Sequence, residues 1–168
     1  MQFNNFDRQR LINLEEVLEI EYEKLGVFER EIVITASAQQ KFELTQRIKR
    51  DLIPSIRQHQ TEYTEIICQD LESTVITEID AINVLDQVYL IVQKLQNHQL
   101  INQQDKLIEM LTNIQNKLDD PGKAATAKLK IALPIIPALA SYEMDLDTEA
   151  FIVKIWEKIN HSLRRFWK

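Results

Sequence analysis

The sequence predicts a mainly α fold: an antiparallel helical bundle with a long coiled-coil-like hairpin, and a short β-hairpin or extended segment before the last helix. Three observations carry this. Glycine occurs twice in 168 residues, and glycine supplies the positive-φ turns that loop-rich β folds and phosphate-cradling loops need, so its scarcity favours long helices joined by few turns. Apolar residues recur every three or four positions over most of the chain, the spacing of a stripe along one helix face. The run "LKIALPIIPALASYEMDLDTE", residues 129–149, departs from that spacing, with two of the four prolines and an alternation of period two.

The first helix is read from Leu11, Leu14, Leu18, Tyr22, Leu25, Phe28 and Ile32. Gly26 lies inside it and costs up to about 1 kcal/mol relative to alanine, too little to stop a helix with a packed stripe on both sides. Ser37 and Gln40 have the spacing of a capping box, which starts a second helix. That helix carries Phe42, Ile48, Leu52, Ile56, Tyr63 and Ile66, and Pro54 predicts a kink or break near 51–55. Together the two form the long hairpin of residues 1–72.

Residues 73–120 read as a second helical pair. Thr77 and Asp80 cap its first member, whose wide apolar face is read as Ile79, Ile82, Leu85, Val88, Tyr89, Val92 and Leu95. A phase slip at 97–99 predicts a tight turn or a continuous helix with a shifted face. Ile101, Leu107, Leu111, Ile114 and Leu118 then resume a heptad until "DDPG" ends it. In residues 121–147, Leu129, Ile131 and Leu133, then Tyr142, Met144 and Leu146, alternate with polar or small residues and predict two short edge strands around the Pro134–Pro137 bend. Residues 148–168 form the final helix, capped by Asp147 or Thr148, with Phe151, Ile152, Ile155, Trp156, Ile159, Leu163 and Phe166 on its apolar side. The length suits a single domain over residues 1–168, large enough to bury roughly 70% of its unfolded surface.

Charge and motif content restrict function. A net charge of −6 disfavours general nucleic-acid binding. The charge is uneven: residues 1–72 carry 9 basic and 14 acidic side chains, 73–120 carry 3 and 7, and 121–168 carry 8 and 5. Cys68 has no second cysteine to pair with, and the first residues lack the charged-then-apolar order of a signal peptide, so a cytoplasmic location is expected. No apolar run approaches the roughly 20 residues needed to span a bilayer. No catalytic, cofactor-binding or metal-ligating set is read. Two glycines do not furnish a nucleotide-binding loop or a nucleophile elbow, and His59, His98 and His161 lack a partner at ligand spacing. Cys68, beside Ile66 and Ile67, reads as a buried hydrophobe, and Glu15, Glu16, Glu19 and Glu23 as a solvated helix face.

The tail "KIWEKINHSLRRFWK" places Lys154, Lys158, Arg164, Arg165 and Lys168 around Trp156, Phe166 and Trp167. A basic aromatic helix of this kind docks in a protein groove, lies on an anionic membrane or stacks on nucleic acid, while cations near a helix C-terminus also simply complement its dipole and Trp156 then belongs to the core. The stretches "LEEVLEIEYEKLGVFEREIVITASAQQKFELTQRIKRDL" and "LKIALPIIPALASYEMDLDTEAFIVKIWEKI" resemble the effector-associated helical domains of cyanobacterial and other bacterial multidomain signalling or conflict-system proteins. The resemblance implies an adaptor that recruits or assembles while a separate domain does the chemistry. The leading expectation is a non-enzymatic interaction or assembly module, binding another protein or itself through Ile135, Ile136, Leu139, Tyr142, Trp156, Phe166 and Trp167. The alternatives are a peripheral membrane protein using its final helix, and an enzyme with an unrecognised site.

Overall fold

The computed structural model describes residues 3–71, 73–97, 105–134 and 146–168, and these are mainly helical. Helix α1 spans Asn5–Ile34. Asn4 caps it by accepting the Asp7 N–H at 2.8 Å, and the Asp7 carboxylate complements the positive end of the helix dipole. Leu11, Leu14, Leu18 and Leu25 are buried, so the sequence stripe is the core-facing one.

Helix α2, Ala38–Arg47, starts where the Ser37 hydroxyl accepts the Gln40 N–H at 3.2 Å. The Gln40 side chain does not complete a reciprocal box; its oxygen accepts instead from the Thr35 hydroxyl at 2.8 Å. The chain then passes through a π turn, Ile48–Leu52, into α3, Ile53–Gln69, without breaking. The kink expected from Pro54 takes this form. A proline ring crowds the carbonyl four residues earlier and has no N–H to give it, and a wider turn accommodates both. The Ile53 N–H bonds the Ile48 carbonyl across five residues. The inserted residue lets Leu52 and Ile53 both reach the core beside Ile48 and Ile56.

Helix α4, Glu78–Gln96, is capped by Thr77, which accepts the Asp80 N–H at 3.1 Å. Its buried side is Ala81, Val84, Leu85, Val88, Ile91, Val92 and Leu95, a spacing that leaves Ile79 and Ile82 facing outward, contrary to the sequence reading. Helix α5, Asp105–Leu118, buries Leu107, Leu111, Ile114 and Leu118 as expected. The turn that follows is closed by Asp120, whose carboxylate accepts the Gly122 N–H at 2.9 Å. The expected slip at 97–99 falls mostly outside the described residues.

The first expected strand is corrected. Residues Ala125–Ala132 form helix α6. Leu129, Ala132 and Leu133 are all buried, which is an i, i+3, i+4 helical set, and the alternation of Leu129, Ile131 and Leu133 was too short to separate the two periods. Alanines at 124, 125, 127 and 132 add strong helix propensity. No strand occurs among the described residues. The second expected strand, at 141–146, lies outside them except for Leu146, which opens helix α7, Leu146–Trp167.

Helix α7 lies at the centre of the arrangement. It packs along α4 on one side and against α3 and α1 on another, while α6 lies between α4 and α5. One continuous buried cluster results, with Trp156, Tyr63, Ile91, Leu107 and Leu129 all in it.

Candidate interaction surface

Of the seven residues expected to contact a partner, Ile135, Ile136, Leu139 and Tyr142 lie outside the described residues. The other three sit on α7. Trp156 is 0% exposed and Trp167 is buried, its indole N–H donating to the Tyr63 hydroxyl at 2.9 Å. Phe166 is half-buried against the core. Both indoles therefore serve the interior, because the apolar stripe of α7 faces α1, α3 and α4 at once.

Four of the five cations around them are engaged too, Lys158 being exposed without an ion pair among the described residues. Arg164 pairs with Glu15 at 2.7 Å and with Glu19 at 3.3 Å, Lys168 reaches Glu15 at 3.5 Å, Lys154 pairs with Glu29 at 2.9 Å and Arg165 with Asp80 at 3.4 Å. Lys154, Arg164 and Lys168 thus tie the C-terminal part of the chain to the acidic first helix, and Arg165 ties it to α4. This also corrects the reading of the glutamate face as merely solvated: Glu15 is half-buried and accepts from the Tyr63 hydroxyl at 3.0 Å. Burial pushes the Glu15 carboxyl up, but its bonds to Arg164 and Tyr63 and the charge of Lys168 outweigh burial and hold it below the ordinary value. A further pair, Arg57 with Glu149 at 3.1 Å, ties α3 to the first turn of α7.

Beside this network the Tyr22 hydroxyl accepts from Gln60 at 2.7 Å and from Asn160 at 3.3 Å. Burial raises the Tyr22 and Tyr63 phenols far above their ordinary value, so neither is a base. The cavity bounded by Glu15, Tyr22, Glu157, Asn160 and Arg164 is about 20 Å³, the space of one water molecule. The buried Asn160 Oδ1 has no hydrogen-bond partner among the described residues and suits such a water.

A second cluster resembles a catalytic triad in composition only. Ser55 Oγ donates to Glu21, and His59 Nδ1 meets the other Glu21 oxygen at 2.9 Å. In a nucleophilic relay the serine bonds the imidazole and the acid lies behind it; here the acid lies between them, so the histidine is not placed to take the serine proton. Burial pushes the Cys68 thiol up to about 11, the direction opposite to activation. Among the described residues no three His, Cys, Asp or Glu side chains converge as metal ligands.

What the surface does present is apolar. Val17, Ile20 and Ile34 on α1 are exposed, Ile20 at 65% and Ile34 at 80%, and Val27 is half-buried between them. With Lys24 and Glu31 they occupy positions 17, 20, 24, 27, 31 and 34, a strict alternation of three and four residues on the face opposite the buried leucines. Phe6, 78% exposed, extends the same side toward the N-terminus. Sequence reasoning missed this second stripe because the first one already accounted for the helix; the repeat at 20, 27 and 34 was the available signal. A shorter set on α4, Ile79, Ile82 and Leu90, is also exposed but is interrupted by Asn83 and Asp86. Among the described residues no helix is long and apolar enough to cross a membrane. No family model, curated protein or solved structure matches the chain.

Proposed function

We propose that this chain is a non-enzymatic protein-interaction or assembly module of the cytoplasm, of the adaptor type that its resemblance to bacterial effector-associated domains suggests, in signalling or antiviral defence. Its working surface is the outer face of α1 in the long hairpin, which acts as a coiled-coil-like rod. One observation carries this: three large aliphatic side chains stand in water at heptad spacing on a helix whose opposite face is fully packed. Exposed aliphatics scattered singly are ordinary, whereas several repeated on one helix face, here interspersed with Lys24 and Glu31, mark a contact surface. The pairing of Lys154, Arg164, Arg165 and Lys168 with carboxylates of α1 and α4 supports the same reading, since it engages four of the cations that a membrane surface would otherwise attract.

The test is site-specific photo-crosslinking of the full chain in its source cells, from Ile20 or Ile34 and, as a control, from exposed Gln58 on α3. Protein adducts from the α1 positions and none from Gln58 are expected. Absence of adducts from both α1 positions refutes the reading.

A further inference from the structure

We propose that the outer face of α1 binds the same face of a second copy of this chain, antiparallel, about a two-fold axis level with the Leu25–Gly26 peptide bond. The inference rests on the interaction reading above and names its partner.

The charges on the stripe select the pairing. In a parallel, in-register pair Lys24 meets Lys24 and Glu31 meets Glu31 of the second copy, so both charged contacts along the stripe are repulsive. Antiparallel pairing centred between residues 25 and 26 sets Val17 against Ile34, Ile20 against Glu31 and Lys24 against Val27 of the second copy. It also brings Glu23 alongside Arg30, and Lys24 within reach of Glu31, once on each side of the axis. Shifting the register by one heptad in either direction loses this. One shift opposes Glu23 to itself and the other opposes Arg30 to itself. The side chains of Glu23, Arg30 and Glu31 make no ion pair among the described residues, so they are available for it.

The geometry of the chain allows the approach. α1 buries Leu11, Leu14, Leu18 and Leu25 on the side away from the stripe, and the stripe positions from Val17 to Ile34, about 27 Å of helix, are exposed or half-buried, with Ile20 and Lys24 bordering a groove shared with Arg47 and Asp51. The contact is isologous, the form that closes as a dimer and does not propagate. Charged residues at two of six stripe positions lower affinity while fixing register, so the dimer is concentration-dependent.

Sedimentation equilibrium at low salt measures the dissociation constant. Glu23→Arg weakens the dimer roughly tenfold, and Glu23→Arg with Arg30→Glu restores most of that, since the swapped charges again oppose across the axis. In a Cys68→Ser background, Val17→Cys with Ile34→Cys oxidises to a linked dimer. Val17→Cys alone does not, because its two copies lie about 25 Å apart. Val17, Glu23, Arg30 and Ile34 are exposed on a helix surface, Cys68 is half-buried and takes the near-isosteric serine, and circular dichroism verifies that each variant folds. A monomer at every concentration, linkage through Val17→Cys alone, or no rescue by the charge swap overturns the pairing. If the chain is monomeric while Ile20 or Ile34 still cross-links to a different protein in cells, the self-pairing falls and the interaction reading stands.

Discussion

Two single residues illustrate how local surroundings decide an outcome. Gly26 sits mid-helix with negative φ, and a Cβ placed there meets nothing closer than the Arg30 guanidinium at 3.9 Å. Gly26→Ala therefore restricts the unfolded chain without a native clash and raises stability by about 0.5–1 kcal/mol, seen as an upward shift of the urea midpoint. An unchanged or lowered midpoint contradicts the open space. Glu15 carries a pH signature. Its carboxyl lies below the ordinary value of 4.5 in the folded state, so its contribution is present in full above that value and is lost as pH falls through the lower folded value. Glu15→Gln removes a charge-assisted bond to Arg164 and costs about 1–3 kcal/mol at pH 7. The gap between wild type and variant narrows below about pH 4.5, and a gap constant from pH 7 to pH 3.5 would show that the ionised form of Glu15 contributes nothing.

At the scale of elements, α6 depends on a residue from another helix. Its N-cap position is Ala124, which has no side-chain acceptor, and Glu78 in the first turn of α4 fills the role by accepting the Ala125 N–H at 2.7 Å and the Thr126 N–H at 3.4 Å. Glu78→Ala costs about 0.5–2 kcal/mol, and amide exchange at Ala125 and Thr126 accelerates before exchange in α5 does. Equal acceleration in both would mean that Glu78 supports the whole region and does not act as a cap. Such a contact joins residues 47 positions apart, and no local pattern announces it. The elements that were legible have local causes: Ser37 and Thr77 each sit three residues before the amide they cap, and the buried leucines of α1 and α5 repeat at helical spacing. α6 was not legible, because Leu129, Leu133 and their neighbours satisfy both periods and only the packing of Ala132 against α4 separates them. The same holds for the surface. Trp156 stands on the apolar side that the spacing of the last helix already gave, whereas Trp167 looks from sequence like any exposed aromatic of a basic helix, and only packing against Tyr63 buries it. On α1 the outer row at 17, 20, 27 and 34 was written as plainly as the buried one, but a single sequence does not say which of two stripes has a partner within the chain.

At the scale of the whole molecule, α7 is the element through which the two halves meet. It touches α1 and α3 on one flank and α4 on another, and the buried cluster runs unbroken through Trp156. If that cluster is one cooperative unit, damage at its centre lowers protection everywhere. Trp156→Ala removes the largest fully buried side chain and costs about 3–5 kcal/mol, a large share of the 5–15 kcal/mol that holds a domain together. The urea midpoint falls while the slope is unchanged, since the same surface is exposed on unfolding. Amide exchange then speeds up by the same factor in the slowest positions of α1, α3 and α4 alike, because each opens only by global unfolding. The opposite pattern is equally readable. Were the α1–α3 hairpin to keep its protection while α4 and α7 lost theirs, the hairpin would stand as an independent rod, and its outer face would be presented whether or not the rest of the chain is folded.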